Sequence, residues 1–194
     1  VVSELMSLRR KDQRGVRFVA PESWHVTLRF FGEADIDEVE AALDEAVLAP
    51  ATAVIGPAVD VLGERALVVP VSGLDPLADG VVAGTRAVGD PPPERAFAGQ
   101  LTIARVKRDV PMPPALGAMV DGVFAVEEVE LVRSRLDPEG ARYDTVATWS
   151  SNTLEYRHLQ KRLHALGVRQ VVSSNVREAM AGSVTLEHAW TGAH

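Results

Sequence analysis

His25-Val26-Thr27-Leu28-Arg29-Phe30-Phe31-Gly32 and, about 75 positions later, Gln100-Leu101-Thr102-Ile103-Ala104-Arg105-Val106 are the two stretches that decide the fold of this chain. In an extended strand, residues i and i+2 point to the same face. His25 and Thr27 therefore share one face, and Val26, Leu28 and Phe30 the other. Gln100 and Thr102 repeat that arrangement against Leu101 and Ile103. Side by side, two such strands line a groove floor with two hydroxyls and two longer polar groups. With histidine in both long positions, an acid and a base would face each other. One of them is glutamine, and the functional reading turns on that substitution.

The 194 residues suffice for one sizeable domain or two small lobes sharing a core. Hydrophobic content of 46% and charged content of 24% are ordinary for a soluble globular protein. The net charge of -7 argues against a broad, non-specific nucleic-acid surface, though not against a small basic pocket for one phosphate. The acidity lies in residues 1–149, and the last 45 residues are mildly basic. With no cysteine, disulfides, thiolate catalysis and cysteine metal sites are excluded, which fits a cytoplasmic protein. No apolar run approaches the length of a membrane span, so no membrane partner is expected.

Around the two stretches, periodicity and punctuation give an element order. Val2, Leu5, Met6 and Arg9 predict a short helix over 1–10, and 16–20 reads as a strand. Pro21-Glu22-Ser23 is a turn leading into the His25 strand, which Gly32 ends. Asp35 is an N-cap with Glu38 as capping-box partner, and Asp35, Asp37, Glu38 and Glu40 complement the helix dipole. Ile36, Val39, Leu43 and Val47 mark the buried face of that helix, which ends before Pro50. Residues 58–62 and 66–71 form a hairpin, and Leu74, Leu77, Val81 and Val88 a second helix stopped by Gly89. A Pro- and Gly-rich loop over 89–99 delivers the Gln100 strand. Strands follow over 123–126, 129–136 and 143–149, with a turn at Asp137-Pro138-Glu139-Gly140. The expected architecture is α+β: two lobes, with antiparallel sheets lining a central cleft and helices outside. Residues 1–149 form this domain, and 150–194 are a C-terminal extension without a readable motif.

These blocks resemble the 2H phosphoesterases, and among them the bacterial RNA 2',3'-cyclic phosphodiesterases, also called 2'-5' RNA ligases. The family signature is two His-x-Thr-x motifs on facing strands. WHVTLRFFGE from Trp24 to Glu33 is similar to the first motif, and FAGQLTIARVKR from Phe97 to Arg108 to the second, with Gln100 where the family has histidine. Arg133, Ser134, Leu136, Pro138, Gly140, Tyr143 and Trp149 resemble the closing hairpin. The resemblance covers roughly residues 1–149. Besides Gln100, it departs in lacking the family's opening strand and in its longer tail.

The resemblance implies a metal-free hydrolase without a cofactor, acting as a monomer on an RNA end or nucleotide that bears a 2',3'-cyclic phosphate. Such ring opening needs a base for the attacking water, an acid for the leaving ribose oxygen, and donors for the phosphoryl oxygens. Imidazole serves either proton role near neutrality, and Thr hydroxyls are neutral donors. His25, Thr27, Gln100 and Thr102 are the implied catalytic set. Gln100 hydrogen-bonds but does not shuttle protons, and loss of a general acid or base costs about 10²–10⁴-fold in rate. Turnover is therefore expected to be impaired, the alternative being a weak or inactive nucleotide- or RNA-end-binding protein of the same fold. A third reading is an esterase for another small cyclic phosphate, such as ADP-ribose 1'',2''-cyclic phosphate.

Three further residues are candidate substrate contacts. Arg29 shares the His25 face at the groove rim. Arg105 is an outer-face charge in an ideal strand, or is turned inward by a bulge. Tyr143 either stacks a base or packs on the core. Trp24 reads as a core anchor. His158 and His164, six positions apart, do not align on a helix as a metal pair.

Overall fold

Proline and glycine set the strand lengths. The computed structural model describes Leu5, Leu8 and residues 13–150, without Glu64, Pro138 and Glu139 and without the side chains of 136–142. The helix expected over 1–10, the tip of the 137–140 turn, His158, His164 and the remainder of the extension from 151 onward lie outside the described residues. Strand β1 (Val16–Phe18) stops short of Ala20, because Pro21 opens a 3₁₀ turn over Pro21–Ser23 and has no N–H to give a ladder.

Helix α1 (Ile36–Glu45) starts as its cap predicts: Asp35 Oδ1 accepts from the backbone N–H groups of Asp37 (2.9 Å) and Glu38 (3.2 Å). Val39 and Leu43 are buried, whereas Val47 is 56% exposed. The helix ends at Glu45, two residues before Val47, and the chain turns to place Leu48 in the core. Strand β2 (Thr52–Ile55) has no counterpart in the sequence reading: a four-residue strand set between Pro50 and the Gly56-Pro57 pair gives too little periodicity to register. The expected hairpin is present as β3 (Asp60–Leu62) and β4 (Ala66–Ser72). Helix α2 (Asp75–Gly84) is shorter than the run to Val88 predicts. A hydrogen bond from the N–H of Val88 to the carbonyl of Thr85 closes a turn there, and Gly89 follows at φ 67°.

Strands β5 (Gly99–Val106), β6 (Gly122–Ala125), β7 (Glu128–Asp137) and β8 (Gly140–Ser150) complete the described chain. The order β1-β5-β4-β2-β6 forms the main sheet, with β3 also on β4, and every pairing is antiparallel. β7 and β8 form a separate hairpin.

Among the described residues the core has two clusters. One lies behind the main sheet and includes Leu67, Val69, Leu101 and Ile103. The other joins α1 and α2 to the hairpin through Val39, Leu43, Leu77, Val81 and Trp149. Trp149 Nε1 also donates to Asp44 Oδ1 at 2.9 Å, tying β8 to α1. Leu28, Ala51 and Val126 pack against both clusters. Trp24 packs on the first cluster and donates to the Val19 carbonyl at 3.2 Å, as an anchor should.

The stretch from His25 to Phe31 is not the full strand that its alternation predicts. Only Val26 pairs, by an isolated antiparallel bridge to Leu101. Beyond Thr27 the chain has other partners: the Phe31 carbonyl accepts from the N–H of Asp90 at 2.8 Å. Gly89 makes that approach feasible, since a Cβ there would lie 2.4 Å from the Phe31 carbonyl oxygen.

Candidate active site

One bridge positions the candidate residues. Directly opposed residues of an antiparallel pair point to the same side. Val26 and Leu101 both pack into the first core cluster. Their neighbours therefore point away from it, and the register sets His25 beside Thr102 and Thr27 beside Gln100. His25 and Gln100 are diagonal neighbours, a relation that separates residues by about 7–8 Å, a span a phosphate with hydrogen bonds on both sides can fill. His25 and Thr27 are exposed, and Gln100 and Thr102 are half-buried. On the other flank of β5, Val68 pairs with Thr102 and Pro70 with Gln100, which extends the same floor. Val68 is only 3% exposed yet is not part of the first core cluster, as its place on this opposite face requires.

His25 Nδ1 lies 2.9 Å from the Ser23 carbonyl oxygen. A carbonyl only accepts, so Nδ1 must carry hydrogen for this bond to form. In the neutral ring Nε2 then holds the lone pair, and in the imidazolium Nε2 carries the labile proton. Either way Nε2 is the nitrogen left to exchange a proton. Ser23 closes the Pro21–Ser23 turn, so the turn that ends β1 also orients the imidazole. This partner is a backbone atom, which no side-chain motif signals. The ring of Tyr143 meets the imidazole edge-on, with centroids 4.6 Å apart and planes at 65°. Tyr143 stands opposite Ser134 in the β7–β8 hairpin, so the hairpin reaches the candidate residues through this ring.

The position of Arg105 depends on a bulge. β5 pairs Ala104 with Leu67 but Thr102 with Val68, leaving Ile103 as the extra residue. Ile103 and Ala104 are consequently both buried, and the alternation changes phase. Gln100, Thr102 and Arg105 come to one face, despite the odd spacing between Thr102 and Arg105. Arg105 is exposed and pairs with Arg17 of β1, which is exposed too. The motifs do not single out Arg17, although the alternation of its flanks Val16 and Phe18 is the signal that places it.

Arg29 is engaged by protein partners. Its Nη1 donates to Thr85 Oγ1, and its Nη2 donates to the carbonyls of Val88 (2.8 Å) and Asp90 (3.1 Å). The guanidinium also lies over the Phe31 ring, 4.6 Å from its centroid. Burial lowers its pKa from the ordinary arginine value. Arg29 thus holds the 28–31 segment to the loop after α2. Among the described residues, no group of three or more His, Cys, Asp or Glu is arranged to hold a metal.

The α+β fold, a main antiparallel sheet with outer helices, is like that of the LigT-like 2H phosphoesterases. The model of the LigT-like phosphoesterase family matches residues 3–53, a span that contains the His25 segment and ends before the Gln100 segment. The fold is similar to that of TT0787 of Thermus thermophilus, at 24% identity over 77% of this chain and 88% of that one, with a TM-score of 0.59. It is also similar to that of E. coli LigT complexed with 3'-AMP, at 22% identity over 77% of this chain and 90% of LigT, with a TM-score of 0.58. LigT complexed with NADP+ gives 22% identity, 77% and 89% coverage and a TM-score of 0.58. No curated protein matches the chain. The resemblance to the LigT-like 2H phosphoesterases therefore holds in fold over most of the chain and in sequence over its first quarter.

Proposed function

We propose that this chain is a hydrolase that opens a 2',3'-cyclic phosphate on an RNA end or nucleotide to a phosphomonoester, at a rate reduced by Gln100. The observation that supports this reading is the Val26–Leu101 bridge, which His25 and Thr27 flank on one side and Gln100 and Thr102 on the other. His25 Nε2 takes a proton from water, and the water oxygen attacks phosphorus. Thr27, Thr102 and Arg105 donate to the phosphoryl oxygens, where charge builds in the transition state. The leaving ribose oxygen emerges on the Gln100 side, where the amide donates a hydrogen bond but transfers no proton. Tyr143, already against the imidazole, offers a face to the adjoining base. The reaction uses side chains alone, in a monomer acting in the cytoplasm, with 150–194 as an appended extension.

The second reading is a nucleotide- or RNA-end-binding protein of the same fold. Gln100 favours it, and the fold neighbour LigT has been crystallised with 3'-AMP, NADP+ and ATP. The two readings separate when the native chain, His25→Ala and Gln100→His are each incubated with 2',3'-cyclic nucleotides and the phosphomonoester is measured. Turnover by the native chain that is lost in His25→Ala supports the hydrolase. Turnover by Gln100→His alone supports the binding protein. If none of the three binds or turns over the nucleotide, both readings fail.

A further inference from the structure

We propose that this site prefers phosphodiesters whose leaving oxygen departs as a stable anion, an aryl or a phosphoryl oxygen, over those that must release the alkoxide of a ribose. This rests on the reading of His25 as the base and adds the class of bond it breaks best.

Proton-handling groups are unevenly placed on the floor. The Nδ1 hydrogen of His25 is committed to the Ser23 carbonyl, so one imidazole offers one exchanging nitrogen. In-line displacement puts the attacking water and the leaving oxygen on opposite sides of phosphorus. With His25 on the water side, the diagonal partner on the leaving side is Gln100. A carboxamide N–H stabilises an oxyanion by hydrogen bonding but cannot hand over its proton. Among the described residues, nearby groups do not fill the gap. Thr27 and Thr102 are alcohols, no better as acids than the ribose oxygen they would protonate. Tyr143 packs on the imidazole itself, which is the attacking side. Arg105 lies on the far side of Thr102 from Gln100, toward Arg17. The described floor thus carries a base, oxyanion donors and no acid.

In the reaction, water loses a proton to Nε2 as its oxygen bonds to phosphorus. The bond from phosphorus to the leaving oxygen breaks, and its electron pair stays on that oxygen. The anion leaves against the Gln100 amide, and His25 returns its proton to solvent. An alkoxide leaves poorly without a proton, whereas a phenolate or a phosphate leaves readily. Missing acid catalysis therefore penalises ribose esters selectively.

The test is a leaving-group series on one nucleoside: the 4-nitrophenyl, phenyl and ethyl esters of thymidine 5'-phosphate, with a dinucleoside diphosphate as the phosphoryl example. kcat/KM is measured for the native chain, Gln100→His and His25→Ala. The native rate should fall steeply from the 4-nitrophenyl to the ethyl ester, and the diphosphate should be cleaved faster than the ethyl ester. Gln100→His should raise the ethyl ester rate by about 10²–10⁴-fold and so flatten the series. Equal slopes for native and Gln100→His, or no cleavage of the 4-nitrophenyl ester by the native chain, would overturn the proposal. Cleavage that survives in His25→Ala would instead overturn the assignment of the base beneath it.

Discussion

At the scale of single residues, the proposed chemistry depends on how few groups can move a proton. His25 is held by a backbone carbonyl on Nδ1 and by the Tyr143 ring on its edge, which fixes both tautomer and orientation. His25→Ala should lower kcat for a cyclic nucleotide by about 10²–10⁴-fold, measured as phosphomonoester formation. Calorimetry with a 3'-mononucleotide should show that Arg105→Ala weakens phosphate affinity about tenfold or more, the scale of one hydrogen bond to a charged group. Arg29 is a different kind of arginine. Its donors go to Thr85, Val88 and Asp90, so Arg29→Met should lower unfolding free energy by about 2 kcal/mol in a urea titration. Sequence alone does not separate the two arginines. Arg29 keeps the even spacing from His25 yet is turned to protein partners, and Arg105 breaks the even spacing from Gln100 yet shares its face.

At the scale of elements, legibility follows from how local the determining forces are. The α1 cap is written in Asp35, whose Oδ1 accepts from the N–H groups of Asp37 and Glu38. Asp35→Ala should cost about 1 kcal/mol, readable as a lower denaturation midpoint with an unchanged m-value. The β3–β4 and β7–β8 hairpins are legible because alternation and turn residues coincide within a few positions. The extent of the His25 strand is not, because it ends through contacts with a loop some sixty residues away. The Ile103 bulge is readable only as an alternative, since an extra residue in a ladder shows itself only against the partner strand. β2 is too short and too closely bounded by prolines to stand out.

At the scale of the whole molecule, two clusters share Leu28, Ala51 and Val126 and are tied to the hairpin through Trp149. Residues common to both cores make independent melting unfavourable. Trp24 packs on one cluster and Trp149 on the other, so tryptophan fluorescence and far-UV circular dichroism of the unmutated chain should give coincident unfolding midpoints. Separate midpoints would show two cooperative units.

From Phe18 of β1 to Val26 the chain advances eight positions while its partner β5 moves three, from Ala104 to Leu101, and the Pro21–Ser23 turn takes up the surplus. Because sides alternate residue by residue along extended backbone, a slip of the bridge by a single position, setting His25 rather than Val26 opposite Leu101, would send the imidazole inward and the isopropyl group to the floor. The apolar Val26 holds that parity, and the slack in the turn lets it do so.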